Sequence, residues 1–367
     1  MFPTTAKFNV HSQAEFVRTL KLRVNDYLQQ KHLTRFGDGR LYWKSFFMLA
    51  LYLVPFTLLL LQVLPFWANW LLYLCMSFGV VGIGMSVMHD AVHGSFSSRP
   101  WINQLFAYTM EMLGGNSFNW KVQHNVLHHT YTNIPGMDED IANRPILRLN
   151  PEGKWNSAHQ YQHWYAFPLY CMLTLSWIFW GDFSRVMRYN RMGLTAQVGH
   201  DGRTELIKLI FFKIAYLFLN LVLPIFILGL VWWQVLLGFL MMHFIAGFIL
   251  SVVFQLAHVV EETSYVLPDE HGNLENSSAV HQLCTTANFA KRNRIFSWFI
   301  GGLNYQIEHH LFPYISHVHY PKISEIVKQT AQEFHLPYFE YDTFGQALVS
   351  HWKQLRALGQ QPVPALS

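Results

Sequence analysis

Charge is scarce in this chain. Asp, Glu, Lys and Arg make up 13% of 367 residues, while apolar residues reach 51%. That is about half the usual charged share, too little for an ordinary soluble surface. The shortage is uneven: none of the four occurs between Ser45 and Met88, or between Ile214 and Val260. Cysteine is scarce too. Cys75, Cys171 and Cys284 are the only three, and no CxxC occurs. This excludes a disulfide framework and a zinc-thiolate site. Internal repeats and low-complexity tracts are missing, which excludes a solenoid. The net charge of +4 is not gathered into a groove-binding motif, so no nucleic-acid partner is expected. The first forty residues are polar and basic, without the apolar core of a signal peptide.

Each uncharged run is about twice the ~20 residues that cross a bilayer. Each is therefore expected to fold as a helical hairpin, turning near Pro65–Asn69 and near Leu230–Gln234. The expected fold class is all-α: an integral membrane bundle of four transmembrane helices in two hairpins, with a cytoplasmic helical cap holding a di-metal site. The whole chain reads as one domain. Residues 1–44 form a cytoplasmic N-terminal segment, 45–88 the first hairpin and 89–213 a cytoplasmic and interfacial segment. Residues 214–260 form the second hairpin and 261–367 a cytoplasmic C-terminal region. Ala14–Gln30 has the spacing of an amphipathic helix.

Lys and Arg set the orientation. Eight precede Ser45, and nearly all the rest lie between the hairpins or after the second, with none in the hairpin turns. Both termini and the central loop are expected to be cytoplasmic. Lys291, Arg292 and Arg294 read as part of this positive-inside anchor, with contact to a CoA phosphate as the alternative. Trp164–Trp180 is uncharged and apolar. As a span it would put the motifs below on opposite faces, so it is expected to be an interfacial helix, as is Trp101–Leu113.

Histidine is abundant: twenty residues, grouped. HDAVH holds His89 and His93, HNVLHH holds His124, His128 and His129, and QIEHH holds His309 and His310. Helical residues i and i+4 share a face, so such a pair can chelate one ion. Adjacent histidines point about 100° apart and suit two neighbouring ions. Two HH pairs with an i,i+4 pair suggest a dinuclear site. Imidazole suits Fe, Zn, Cu or Ni, so the spacing leaves the metal open. His258 falls at the end of the fourth expected helix, level with the motifs, and is counted as an eighth histidine ligand. Gln306 is read as a weak ligand or as orienting a metal-bound water. His243, mid-helix, reads as a packing or tunnel residue. His159, His163, His200, His271, His335 and His351 read as surface or interface residues; for His281, His317 and His319 a surface role is weighed against support of a ligating residue, with the surface role preferred. Asp90, Asp138, Glu139, Asp140, Glu261 and Glu308 lie beside the motifs. Asp90 and Glu308 are the preferred carboxylates for holding a ligating imidazole by its free N–H.

The stretches MHDAVHGSFS, GGNSFNWKVQHNVLHHTYTN, QLCTTAN and GGLNYQIEHHLFP resemble the membrane fatty acid desaturase family. The QIEHH form is similar to its front-end and linoleoyl-CoA branch and to related bacterial acyl-CoA desaturases. The resemblance covers nearly the entire chain. It implies two non-haem irons held by His89, His93, His124, His128, His129, His258, His309 and His310, with O₂ as co-substrate. It also implies a cis double bond placed in a long-chain acyl-CoA or acyl-lipid. Front-end relatives often carry a fused cytochrome b5 with an HPGG motif. No HPGG occurs here, so a separate donor of ferredoxin or cytochrome b5 type is expected. A membrane hydroxylase of alkane, sterol or carotenoid is the enzymatic alternative. A metal-binding receptor or transporter is the non-enzymatic one, disfavoured by how few polar residues lie inside the spans.

Overall fold

The computed structural model describes residues 6–142 and 144–361. Among them, four helices are long and apolar enough to cross a membrane: Gly39–Leu61, Phe66–Val92, Gly202–Ile227 and Trp232–His258. At helical rise these 23 to 27 residues extend about 35–40 Å, beyond the ~30 Å hydrocarbon core. The first hairpin breaks after Leu61, where Gln62 adopts a left-handed conformation (φ 54°). The second breaks between Ile227 and Trp232.

The two turns are tied together. Gln62 donates to the Leu228 carbonyl (2.9 Å), and Gln234 donates to the Phe66 carbonyl (2.7 Å). Both therefore lie at one end of the bundle, opposite the histidines.

The second span is the innermost, with 78% of its most apolar window buried, against 33% and 22% for the first and third. Phe211, Ile214, Phe226 and Ile227 on the third span all face outward. An apolar face of that extent needs lipid to cover it. Inside, small residues let the spans approach. A Cβ at Gly238 would stand 2.2 Å from the Tyr73 ring.

The first and third spans begin earlier than their uncharged runs, at Gly39 and Gly202. Asp38 caps one, accepting from Arg40 N, and Asp201 caps the other, accepting from Thr204 N. Inside the third, Lys213 is buried but satisfied by Asp182 Oδ2 and the Gly114 carbonyl, each at 2.6 Å.

The 164–180 segment departs from expectation. It is not a span, but it does not stay at the interface either. Gln162–Tyr170 runs along the fourth span, the chain turns at Cys171, and helix resumes at Leu173. The Tyr170 carbonyl accepts from Ser251 Oγ (3.2 Å), and Thr174 Oγ1 donates to the His243 carbonyl (2.9 Å). His243 is fifteen residues, about 22 Å of helix, from His258. The segment thus dips deep beside the fourth span and returns. Helix satisfies its backbone and the fourth span covers one side, the condition for re-entrant structure. Trp164 and Trp180, near its two ends, are exposed, as in an aromatic belt.

The rest forms a cap. The N-terminal helix spans Ala14–Gln30 and buries Phe16, Leu20, Val24 and Leu28, joining a small core with Ile323 and Val327 of Tyr320–Glu333. Among the described residues, sheet is confined to two parallel pairs, Lys7–Phe8 with Asn273–Leu274 and Ala287–Phe289 with Phe339–Tyr341.

Candidate metal centre

Four pieces of chain bring the histidines together. His89 lies in the last turn of the second span, with His93 just beyond it. His258 is the last residue of the fourth span. His124, His128 and His129 share the helix 117–131. His309 and His310 lie on Gln306–Leu311. That short helix is brought in by Gly301 and Gly302, both at positive φ (65° and 67°). A Cβ at Gly301 would stand 2.3 Å from the Met85 carbonyl, so only glycine lets this loop meet the second span.

Two stretches next to the histidines, Ile83–Met88 and Lys121–His128, are wound as π-helix, with i→i+5 bonds. The wider turn brings His129 beside His124, their Nε2 atoms 3.2 Å apart. An ideal α-helix would favour His128 alone.

The potential ligand atoms fall into overlapping groups. His89, His93, His124 and His309 form one, and His128, His258 and His310 a second. His129 joins His309 and His310 between them. His128 and His129 thus fall in different groups, while His309 and His310 share the third and each joins one of the other two.

The hydrogen bonding indicates that these groups suit metal. His128 Nδ1 faces Asp138 (3.0 Å), and His258 Nδ1 the Thr285 carbonyl (3.2 Å). His309 Nδ1 meets Tyr320 Oη (3.2 Å), and His310 Nδ1 meets Thr132 Oγ1 (3.2 Å). In each case Nε2 is the atom turned inward. The Nε2 atoms of His93, His258 and His310 are buried without a partner. Those of His124, His129 and His309 form a triangle with sides of 3.2, 2.9 and 3.4 Å. A neutral imidazole nitrogen either donates or accepts. With three atoms and two roles, at least one side of the triangle must set like against like. A shared cation removes the conflict. Donors about 2.0–2.1 Å from one ion stand about 2.9–3.4 Å apart, for right-angle to tetrahedral placement.

Burial, then the neighbouring imidazoles, holds His93, His124, His129, His309 and His310 well below the usual histidine value. They are neutral and ready to ligate. His128 is the exception. Burial would lower it, but Asp138 and Asp140 outweigh this and raise it to about 9. The same carboxylates make its imidazole a stronger donor once a metal replaces the Nε2 proton.

Three expectations about the surroundings need correction. Asp90 does not hold a ligating imidazole: it accepts from Ser316 Oγ (2.7 Å) and pairs with His317 Nδ1 (3.0 Å). Glu308 accepts instead from Asn288 Nδ2 and Tyr338 Oη, both at 2.9 Å. Asp138 fills the role given to both, because the loop after Tyr131 folds back under His128. His159 and His351 are fully buried, and His163 is buried against Trp352. His351 bridges the Val259 carbonyl (2.7 Å) and Tyr170 Oη (2.9 Å), fastening the cap to the fourth span. His159 caps its own helix with Asn156.

His243 packs by hydrogen bonds to Tyr216 (2.8 Å) and Thr174 (3.0 Å). His281 donates to, and so positions, the Thr132 carbonyl (2.7 Å). Gln306 is buried, and its amide donates to the Leu303 carbonyl (2.7 Å).

A cleft of about 440 Å³ leads to the centre. It ends at His124, with Trp120, Trp177 and Phe254 around it, and Leu169, Met172 and Leu173 of the re-entrant segment along it. Its surface is mostly apolar.

A helical membrane bundle whose inner spans end in converging histidines, at the end of an oily cleft, is the frame of a membrane-bound metal enzyme acting on apolar compounds. Sequence comparison makes the class definite. The fatty acid desaturase profile matches residues 65–342, and the chain belongs to that family. It is similar to the sn-1 linoleoyl-lipid 6-desaturase of Arthrospira platensis, at 32% identity over 99% of this chain and 97% of that protein. It is equally similar to the enzyme of the same name from Synechocystis, at 32% over 97% and 99%. An acyl-lipid (8-3)-desaturase of Physcomitrium patens is 33% identical over 94% of this chain and 72% of its own. The protein is a fatty acid desaturase.

Proposed function

We propose that the protein is an O₂-dependent di-iron desaturase that places a cis double bond in a long acyl chain carried by a membrane lipid. The observation that carries this reading is the set of inward Nε2 atoms at the end of an apolar cleft. His89, His93, His124, His128, His129, His258, His309 and His310 would hold the irons. Gln306 sits at the edge of the site as an orienting residue. Bound iron, with O₂, supplies the power to cleave unactivated C–H bonds, which no side-chain acid or base can do.

The chain's own work is placement. Asp138, the Thr285 carbonyl, Tyr320 and Thr132 fix four imidazoles by Nδ1, so each Nε2 is committed inward. The walls of the cleft, Trp120, Trp177 and Phe254, hold adjacent methylenes beside the centre and exclude water. The relatives named for lipid-linked substrates favour an acyl-lipid over acyl-CoA. Electrons come from a separate carrier of ferredoxin or cytochrome b5 type. One domain does all of this, with residues 89–213 and 261–367 forming the cap.

The site faces the cytoplasm on this reading. The Lys/Arg bias favours it, and the linked hairpin turns put Asn69 and Gln234 together at the far end. Reporter fusions at Asn69 and Gln234 should read external, and one after Asp182 cytoplasmic. An external signal after Asp182 would overturn this orientation.

Expression in a host of known lipid content, with double-bond mapping of each lipid class, tests the activity. A new cis bond in glycerolipid acyl chains is expected. A hydroxylated product in its place would defeat the desaturase assignment.

A further inference from the structure

Two cavities reach the histidine cluster along different faces of the 117–131 helix. The apolar cleft touches Trp120, Gln123 and His124. A second cavity, of about 590 Å³, touches Phe118, Lys121 and Asn125, and meets the cluster at His93.

The second cavity differs in chemistry. Arg35, Lys121, His200, Glu205 and Lys208 line it. Glu111 also lines it and is 95% buried, being 5% exposed. Its Oε1 accepts from Ser117 N (2.9 Å) and Ser117 Oγ (2.6 Å), while Oε2 has no partner. Asn125 donates to the Val92 carbonyl (3.0 Å) and leaves Oδ1 buried and unpaired. Two orphaned oxygens in one polar cavity call for ordered water.

Desaturation has a proton requirement, and although the first cleft carries charge at Glu139, Asp140, Arg144 and Arg185, it is the route the substrate uses. The balance is –CH₂–CH₂– + O₂ + 2e⁻ + 2H⁺ → –CH=CH– + 2H₂O. Two hydrogen atoms, and with them two electrons, leave the substrate, and two more electrons come from a one-electron carrier protein. The two remaining protons come from solvent. During turnover the acyl chain fills the apolar cleft, so protons need another way in.

We propose that the cavity beside His93 is a water-filled proton port and that Glu111 positions its water and relays protons inward. This rests on the desaturase reading above. Burial, tempered by the two bonds from Ser117 and by Lys213, raises the Glu111 carboxyl to about 7. A group in that range can both take up and release a proton near neutrality.

The test compares Glu111→Gln and Glu111→Asp in the iron-loaded enzyme with its electron carrier. Glu111→Gln should lower kcat about a hundredfold, the lower end for loss of a proton-transfer group. KM for the acyl substrate should stay within about twofold. More of the O₂ consumed should leave as hydrogen peroxide, and Glu111→Asp should restore part of the loss.

A second readout needs no turnover. In the resting enzyme, the carboxylic C=O infrared band that Glu111→Gln removes should shift at once on transfer to D₂O. Should Glu111→Gln fail to fold, Ser117→Ala, which removes one bond to Oε1, should move kcat and peroxide yield in the same direction but less. Unchanged kcat and coupling would overturn the proposal, as would a band that does not exchange. A raised KM with kcat preserved would also overturn it, making the cavity a seat for the substrate's head instead. Wild-type product is measured alongside. If the wild type forms no double bond, the desaturase reading fails; a normally coupled Glu111→Gln defeats only the port.

Discussion

Alanine at His309 or His310 should leave almost no desaturation at normal protein level, with Asp138→Asn intermediate and Gln306→His mildest. The order follows from what each side chain touches. His309 Nε2 is a corner of the imidazole triangle, and His310 Nε2 is buried with no hydrogen-bond partner. Removing either leaves an ion with an open position and displaces its neighbours. Asp138 acts one atom further out. It grips His128 Nδ1 and is itself held by Asn133 N (2.9 Å) and Asp140 N (2.9 Å). Asparagine keeps the shape but loses the charge, and loss of such a supporting partner costs about 10–100-fold in affinity or activity. Gln306 spends its amide on the Leu303 carbonyl. Histidine there keeps a donor and should cost no more than about tenfold, the low end for a supporting residue. The comparison is made by product per unit of folded protein, with iron content measured on each variant. Robust turnover by His309→Ala with an inactive Gln306→His would sink the assignment.

The supporting contacts of this centre explain what the sequence could and could not reveal. Spans depend on length and lack of charge, both visible locally, so the four membrane helices were legible. The N-terminal helix was legible from its spacing, because Phe16, Leu20, Val24 and Leu28 recur every four residues. The histidine motifs were legible because ligands must be clustered in sequence when they share a helix end. His258, alone in FQLAH, could be read only through topology.

Partners across loops were not legible. Asp90 is adjacent to His89, yet its side chain leaves the helix on another face and meets His317, 227 residues away. Asp138 is ten residues from His128 and reaches it only because the intervening loop folds back. The buried His159 and His351 belong to the packing of the cap on the membrane helices, which no local pattern encodes. The π-helical winding that brings His129 to His124 is a tertiary effect, since nothing in VQHNVLHH distinguishes it from an α-helix. The re-entrant hairpin was misread for a related reason. An uncharged segment too short to be paired off as a span can lie flat or dip, and contact with the fourth span decides.

On the proposed function, these imidazoles hold two irons and the irons carry the activity. Removal of the metal should therefore have the largest effect of any treatment. The chelated protein should keep its helices but form no double bonds. Ferrous ion with a reductant should restore them. The most direct measurement is elemental analysis of protein purified without added zinc, paired with double-bond formation by the same sample. About two irons per chain are expected, from a donor set of eight imidazoles in adjoining groups, with activity rising in proportion to iron. One tightly bound zinc per chain, with no gain of activity on adding ferrous ion and reductant, would contradict it.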